Sequence, residues 1–284
     1  QVGKKDNFLI KGANAVPFLR RVCPDARFVL TLHDYYPLCH RDGVLLRNPG
    51  NARCDGPSPN ACNGCFPEIS PARFRVRELM LKAHLFGFDR FVAPSRFLLD
   101  RYRAWGLPDE RMTLIANGRA WPPPVPARTD RSGARNRFAV LGNFSPYKGT
   151  AVALAAARQL ADRGLDFSLD LHGSPIYQAD AFVQRLDEDV RALGPKARMH
   201  GAYRPDDVPA ILAGVDWVVV PSIWWENAPL VIDEAMHHGR PVLCSGIGGM
   251  AERVRDGVDG LHFRAADALS LADAMARAAT EPGL

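Results

Sequence analysis

Two carboxylates, Glu226 and Glu234, stand in the run Pro221-Ser222-Ile223-Trp224-Trp225-Glu226-Asn227-Ala228-Pro229-Leu230-Val231-Ile232-Asp233-Glu234. Ahead of it, Trp217-Val218-Val219-Val220 reads as a strand buried on both faces of a parallel sheet. Beyond it the pattern turns helical, with Asn227 placed as an N-cap and Pro229 where a first-turn proline is tolerated. Helical geometry throughout would carry the chain roughly 12 Å between the two carboxylates, comparable to the reach from a ribose across a diphosphate to a sugar. The start of a helix offers unpaired N–H groups and the positive end of a dipole, which suit phosphate. The segment is therefore built for a ligand hydroxylated at both ends and anionic in the middle.

These residues need a frame to hold them, and the chain has one. With 284 residues it is long enough for two domains. Apolar residues at 47% and charged residues at 24% are those of an ordinary globular protein. No apolar run reaches the roughly 20 residues of a membrane span, and no secretory leader is visible. A net charge of +5 fits an anionic substrate, a loose association with an acidic membrane, or simply a basic solvated surface. Aromatic residues do not interleave with a basic stripe, which argues against nucleic acid as a partner. The opening, Gln1 to Ile10, holds neither an initiator Met nor a first strand with a glycine turn, as expected for a piece of a longer protein.

From Arg137 onward, strand and helix alternate. Strands are expected at Phe138–Leu141, Phe167–Leu171, Ala197–His200, Trp217–Val220, Pro241–Cys244 and Gly260–Phe263. Helices are expected at Thr150–Arg163, Tyr177–Leu193, Asp206–Ala213, after Asn227, at Met250–Arg255 and at Ala266–Ala279. Such alternation predicts a doubly wound, Rossmann-like α/β domain with a parallel sheet. The earlier half has fewer units: strands at Arg27–Leu32, Arg90–Ala93 and Met112–Ile115, and helices at Phe74–Phe86 and Ser95–Trp105. The proline-rich Trp121–Pro126 can be neither helix nor central strand. It reads as a stiff linker, giving domains 1–123 and 124–284.

Four of the six cysteines, Cys39, Cys54, Cys62 and Cys65, fall in one loop rich in Gly, Pro and Asn. Such a loop buries little and gains order from a cross-link or a metal. A closed structural zinc site, one or two disulfides, and free thiols are the three readings. Cys23 and Cys244 read as isolated, with Cys244 in the core.

The motifs together resemble a known family. The Trp-Trp-Glu-Asn-x-Pro segment with Glu234, then Gly239-x-Pro241-Val242, Gly248-Gly249-x-x-Glu252 and Asp256-Gly257-x-x-Gly260, are similar to the C-terminal half of retaining, GT-B-fold glycosyltransferases of the large fourth family. Leu141-Gly142, Lys148-Gly149, Pro94-Ser95 and Asn117-Gly118 extend the likeness. The resemblance implies an α/β, GT-B-like architecture of two Rossmann-like domains facing a cleft, the N-terminal one incomplete. It implies that Glu226 contacts the donor sugar, that Glu234 holds the ribose hydroxyls, and that Lys148 meets the diphosphate. The donor site would also include Gly142, Asn143, Gly173 and the helix start at Asn227, Ala228, Pro229 and Leu230. Gly201-Ala202-Tyr203 shares with Gly173-Ser174 the strand ends where the family places its base. His33 resembles the family histidine beside the reacting carbon, with Asp34 either orienting it or closing an Asx-turn. Gly248 and Gly249 either let a ligand approach the backbone or simply form a turn.

One departure stands out. The family supplies an Arg after the strand glycine, whereas this chain has Asn143; Arg96 or Lys4 would have to supply the second cation. The expected activity is hexosyl transfer from a nucleoside-diphosphate sugar to a hydroxyl of a glycan, lipid-linked glycan or small molecule, with retention, as in polysaccharide biosynthesis. The resembled chemistry requires no metal, so a zinc in the cysteine loop would be structural. The expected location is the cytoplasm, at the inner face of the membrane as a peripheral protein. The other readings are a non-catalytic nucleotide-sugar-binding or partner module and, ranked lower, a GT-B-fold sugar epimerase.

Overall fold

The computed structural model describes residues 15–126 and 135–281. The chain divides into two compact units between Asn117 and Gly118. The expected boundary at 123/124 lies just inside the second unit. Lys4 and the opening Gln1–Ile10 lie outside the described residues.

In the first unit, α1 (Ala15–Val22) and β1 (Val29–Thr31) are followed by α2 (Pro59–Cys65) and α3 (Pro71–Leu85). Then come β2 (Arg90–Ala93), α4 (Arg96–Trp105) and β3 (Met112–Leu114). The three strands form a parallel sheet in the order β1-β2-β3. Phe91 and Ala93 of β2 are buried, as are Leu98, Leu99 and Tyr102 of α4, so strand alternation and helical spacing meet in one core. Ser95 starts α4 by accepting the Leu98 N–H, 3.2 Å away. The same chemistry starts α3 earlier than its apolar pattern: Ser70 accepts from Arg73 and Pro71 takes the first helical position.

The second unit continues with β4 (Arg137–Leu141), α5 (Thr150–Asp162), β5 (Ser168–His172) and α6 (Asp180–Leu193). Next are β6 (Ala197–Gly201), α7 (Val208–Ala213), β7 (Trp217–Val220) and α8 (Leu230–His237). It closes with β8 (Val242–Ser245), α9 (Gly248–Arg253), β9 (Gly260–Phe263) and α10 (Ala268–Thr280). All six strands run parallel, in the order β6-β5-β4-β7-β8-β9. Each face of the sheet has its own core. Trp217 and Val219 of β7 enter the one with Ala153, Leu160 and Met275, while Val218 and Val220 enter the one with Ile232, Met250 and Leu212. That double burial is why β7 reads as an unbroken apolar run rather than an alternating one. The chain winds outward from β4 in both directions, so β4 and β7 meet where the strand order reverses. In open parallel sheets this switch point opens a crevice at the carboxyl ends of the strands.

The proline-rich segment forms neither helix nor strand, and it is tied down on the second unit. The Val125 N–H donates to His238 Nδ1 at 3.1 Å, and Arg240 donates to the Pro126 carbonyl at 2.7 Å. Arg240 is buried and also donates to the Leu212 and His238 carbonyls, so its guanidinium is spent on backbone oxygens. Burial holds the His238 imidazole below its ordinary pKa, with the neighbouring His237 and Arg240 charges adding to it.

The cysteine loop differs from its expected form. Part of it is the helix α2, capped by Ser58 and opened by Pro59, with Cys62 and Cys65 one turn apart. All six cysteines are free thiols, so neither disulfide of the second reading is formed. Cys39, Cys54, Cys62 and Cys65 gather in one region, and burial followed by the other thiols raises the Cys62 pKa. Among the described residues, however, no three His, Cys, Asp or Glu side chains are arranged to hold a metal. Cys244, in β8, is fully buried, and burial pushes its thiol up to about 12. A raised pKa keeps it protonated at pH 8, and the thiolate is the reactive form. Iodoacetamide at pH 8 should therefore label the exposed Cys23 first and spare Cys244 until the chain unfolds, as followed by peptide mass mapping. Labelling of Cys244 at the rate of Cys23 would contradict the buried placement.

Candidate active site

The residues singled out in the second unit converge on the switch point. Lys148 follows β4 on a short 3₁₀ turn, Pro146–Lys148, whose Ser145 accepts the Lys148 N–H. Gly149 then begins α5 with φ +72°, and a Cβ there would lie 1.9 Å from the Pro221 carbonyl oxygen. Only glycine lets the turn after β4 pack against the end of β7. That packing brings Lys148 to Glu226: Nζ lies 2.7 Å from Oε1.

Glu226 is buried, with only 7% of its side chain exposed, so its charge needs partners. Three donors meet on Oε1: Lys148 Nζ, Ser222 Oγ at 2.7 Å and Trp224 Nε1 at 2.8 Å. Lys148 also sits 5.6 Å from the centre of the Trp224 ring, and Tyr147 stacks on that ring. None of these three donors bonds to Oε2. The arrangement fixes one carboxylate oxygen with three donors on a residue that lines a cavity.

A cavity of about 270 Å³ is lined by Lys148, Glu226, Gly142, Asn143, Pro229, Leu230 and Glu234 among others. An adjoining cavity of about 570 Å³ shares Gly142, Asn143, Tyr203, Leu230 and Glu234 with it and adds Gly173, Ser174, Ala202 and Arg119. The smaller holds the ammonium and both carboxylates; the larger is walled by the ends of β5 and β6. Burial, then the Glu234 charge, raises the Tyr203 pKa, which keeps its phenol neutral beside that carboxylate. Together the two hollows have the size and polarity for an elongated anionic ligand.

A family model, glycosyl transferases group 1, matches residues 135–281. The chain belongs to this family. A lipopolysaccharide 1,2-N-acetylglucosaminetransferase of Salmonella typhimurium is 28% identical over 185 residues, 61% of this chain and 48% of that protein. A D-inositol 3-phosphate glycosyltransferase of Nocardia farcinica is 27% identical over 265 residues, 84% of this chain and 52% of that protein. The chain thus spans about half the length of the curated relatives it matches. Among solved structures, Anabaena HepE in complex with UDP and glucose superposes with a TM-score of 0.67 at 23% identity, covering 94% of this chain and 64% of that one. The fold is therefore the α/β, GT-B-like one, with two parallel sheets in two Rossmann-like units.

Within this glycosyltransferase family fold, several expected details change. Asn227 is not the N-cap of α8, which begins at Leu230 with Pro229 at the cap position and no side-chain cap bond. Its Oδ1 accepts the N–H of Ala228 instead, holding residues 226–229 in a non-helical loop. The two glutamates are accordingly not joined by one helix, and Glu234 sits in the second turn of α8. Gly249 owes its identity to packing, since a Cβ there would lie 1.7 Å from the Asn227 carbonyl oxygen. That loop also accepts a hydrogen bond, Gly249 N–H to Glu226 O at 2.8 Å. Turn geometry, the plainer of the two readings, accounts for Gly248, whose φ is +58°, while close packing of the chain on itself accounts for Gly249.

His33 belongs to the first unit, exposed just past β1. Asp34 closes an Asx-turn by accepting the Tyr36 N–H at 2.8 Å, and burial raises its carboxyl above the ordinary range against the lowering effect of His33. Arg96 opens α4 of the first unit, and Lys4 is outside the described residues. Besides Lys148, the cation that lines the larger second-unit cavity with Asn143 is neither of them. It is Arg119, which the motifs passed over because it lies between the Asn117-Gly118 pair and the proline run.

The three donors on Glu226 make a direct test. Removing Ser222 Oγ by Ser222→Ala should cost about 1.5–3 kcal/mol of stability, the net worth of one hydrogen bond to a charged group. Lys148→Met leaves the buried carboxylate undercompensated and should cost about 1–3 kcal/mol, while adding Glu226→Gln should recover most of it. Urea denaturation of the single and double variants measures both. Strictly additive losses would mean that the two side chains do not act as a pair.

Proposed function

We propose that this chain binds a nucleoside-diphosphate hexose and transfers the sugar to an acceptor hydroxyl with retention of configuration. The observation that carries this reading is the Lys148–Glu226 pair at the switch point, with Glu234 lining the same cavity. An ammonium beside a carboxylate suits the junction between a leaving diphosphate and a sugar. Lys148 would stabilise negative charge as the anomeric carbon–oxygen bond breaks, and Glu226 Oε2 would hold a sugar hydroxyl. Glu234 would accept from the ribose hydroxyls, and the backbone at the start of α8 would face the diphosphate. The acceptor oxygen bonds the anomeric carbon on the face the diphosphate leaves, and its proton passes to the departing phosphate oxygen.

The relatives support this reading: two are glycosyltransferases by name, and HepE was solved with UDP and glucose. The acceptor class we propose is a glycan or lipid-linked glycan, as in polysaccharide biosynthesis, met at the cytoplasmic face of a membrane. In support, the net charge is +5, which suits an anionic membrane surface. A donor-binding module without transfer is the second reading. It is favoured by Asn143, which is neutral at the head of the site.

A thermal-shift screen with UDP-, GDP-, ADP- and dTDP-sugars tests the first step, because a ligand specific to the native state raises its melting point. With the donor that binds, Glu234→Ala should raise the KM for donor, while Lys148→Ala and Glu226→Ala should lower kcat. Unchanged donor binding and turnover in all three would sink the assignment. His33→Ala should leave UDP affinity as it is and reduce turnover; full activity in that variant would remove His33 from the mechanism. Binding without any transfer or donor hydrolysis would select the module instead.

A further inference from the structure

Arg119 is held in the second-unit site by a chain of contacts on one helix. Its guanidinium donates to Glu234 Oε1 and lies over the Trp121 ring, 5.5 Å from the centroid. Trp121 stacks on His237 at 5.0 Å and 20°, and His237 meets the Pro122 carbonyl oxygen at 2.7 Å. Glu234 and His237 both belong to α8, so carboxylate, guanidinium, indole and imidazole form one stack on a single element. Among the described residues lining the larger cavity, Arg119 is the only cation and Glu234 the only carboxylate. Asn143, which lines both cavities, brings no charge.

A guanidinium has five N–H donors in a rigid fork, and a carboxylate has about four lone-pair sites. The bond between Arg119 and Glu234 therefore leaves further donors on one group and further acceptors on the other. A ribose presents the complementary set: a diol that donates and, a few bonds away at its 5′ side, phosphate oxygens that accept. Arginine is suited to phosphate because its fork can pair with two oxygens at once. Stacking on Trp121 limits its freedom before ligand arrives, so little conformational entropy is lost on contact.

We propose that Arg119 is a donor-contact residue, with its remaining N–H groups directed to the phosphate of the nucleotide whose ribose Glu234 takes. It supplies in the cavity the positive charge that Asn143 does not. The inference rests on the nucleotide-sugar reading of the site. The same guanidinium is bonded to Glu234, so the diol enters by sharing that carboxylate with it.

The test uses the whole chain and two probes, UDP and uridine, which differ by the phosphates alone. Arg119→Met should weaken UDP at least about tenfold, the loss expected for one or more charge-assisted bonds. Uridine should bind the variant as well as it binds the unaltered protein, or more tightly, since Glu234 is released. Arg119→Lys, which keeps the charge and loses the fork, should fall between, and it serves if the methionine variant folds poorly. Asn143→Arg added to Arg119→Met should recover UDP affinity. Equal weakening of UDP and uridine would reduce Arg119 to a support for Glu234 and overturn the inference. So would unchanged UDP affinity in Arg119→Met while Glu234→Ala weakens both probes, an outcome that leaves the nucleotide reading standing. UDP bound equally by Glu234→Ala, Arg119→Met and the unaltered protein would bring down that reading as well.

Discussion

A carboxylate removed from water must be given partners, and at Glu226 this requirement organises the site. Ser222 comes from the end of β7, Trp224 from the loop after it, and Lys148 from the turn after β4. For three donors to reach one oxygen, two separate βα turns must meet. They meet because Gly149 allows the Pro221 carbonyl to pass where a Cβ would stand. The loop from Glu226 to Pro229 is in turn fixed by Asn227 against Ala228 and by Gly249 against the Glu226 carbonyl. Cations near such a site are expected in any parallel sheet that binds anions. Here the cation is bound to a carboxylate from the neighbouring strand end, so charge and hydrogen-bond acceptor are delivered together.

Much of this was legible in the sequence because it depends on local pattern. The apolar run of β7 announced a strand buried on both faces, and the two cores show why. Glu226 and Glu234 stand out by their spacing around an expected helix start, whereas Lys148 and Gly149 come from the motif that resembles the family. The failures came from contacts that no local pattern encodes. Asn227 has the composition of a cap, yet its side chain closes on the next residue and the helix waits for Leu230. The cysteine loop looked structureless from its Gly and Pro content, although Ser58-Pro59 carried the standard start of a helix. Arg119 was invisible, since its partner Glu234 lies far along the chain and only folding reveals the pair.

Charge is distributed over the two cavities in matched pairs rather than as a basic patch. Each hollow has one cation and a carboxylate that holds it, Lys148 with Glu226 and Arg119 with Glu234. Such pairs bring the charges across the two hollows close to balance while leaving further donors and acceptors for a ligand. Ligands with hydroxyls and phosphates in alternation can then exchange water for both kinds of partner. A purely cationic hollow would take inorganic phosphate as readily.

The proline-rich segment joins the units in sequence, but in its contacts it is a part of the second. Val125, Pro126, Pro122, Trp121 and Arg119 all bond or stack onto groups from α8 to Arg240. A recombination event that exchanged first units among relatives would therefore have a narrow window for its breakpoint. A crossover at residue 117 passes on the second unit with its own brace, whereas one after Pro126 imports a foreign brace onto α8. Families that diversify by shuffling halves should carry residues 118–126 in linkage with α8, inherited with the second unit rather than with the first.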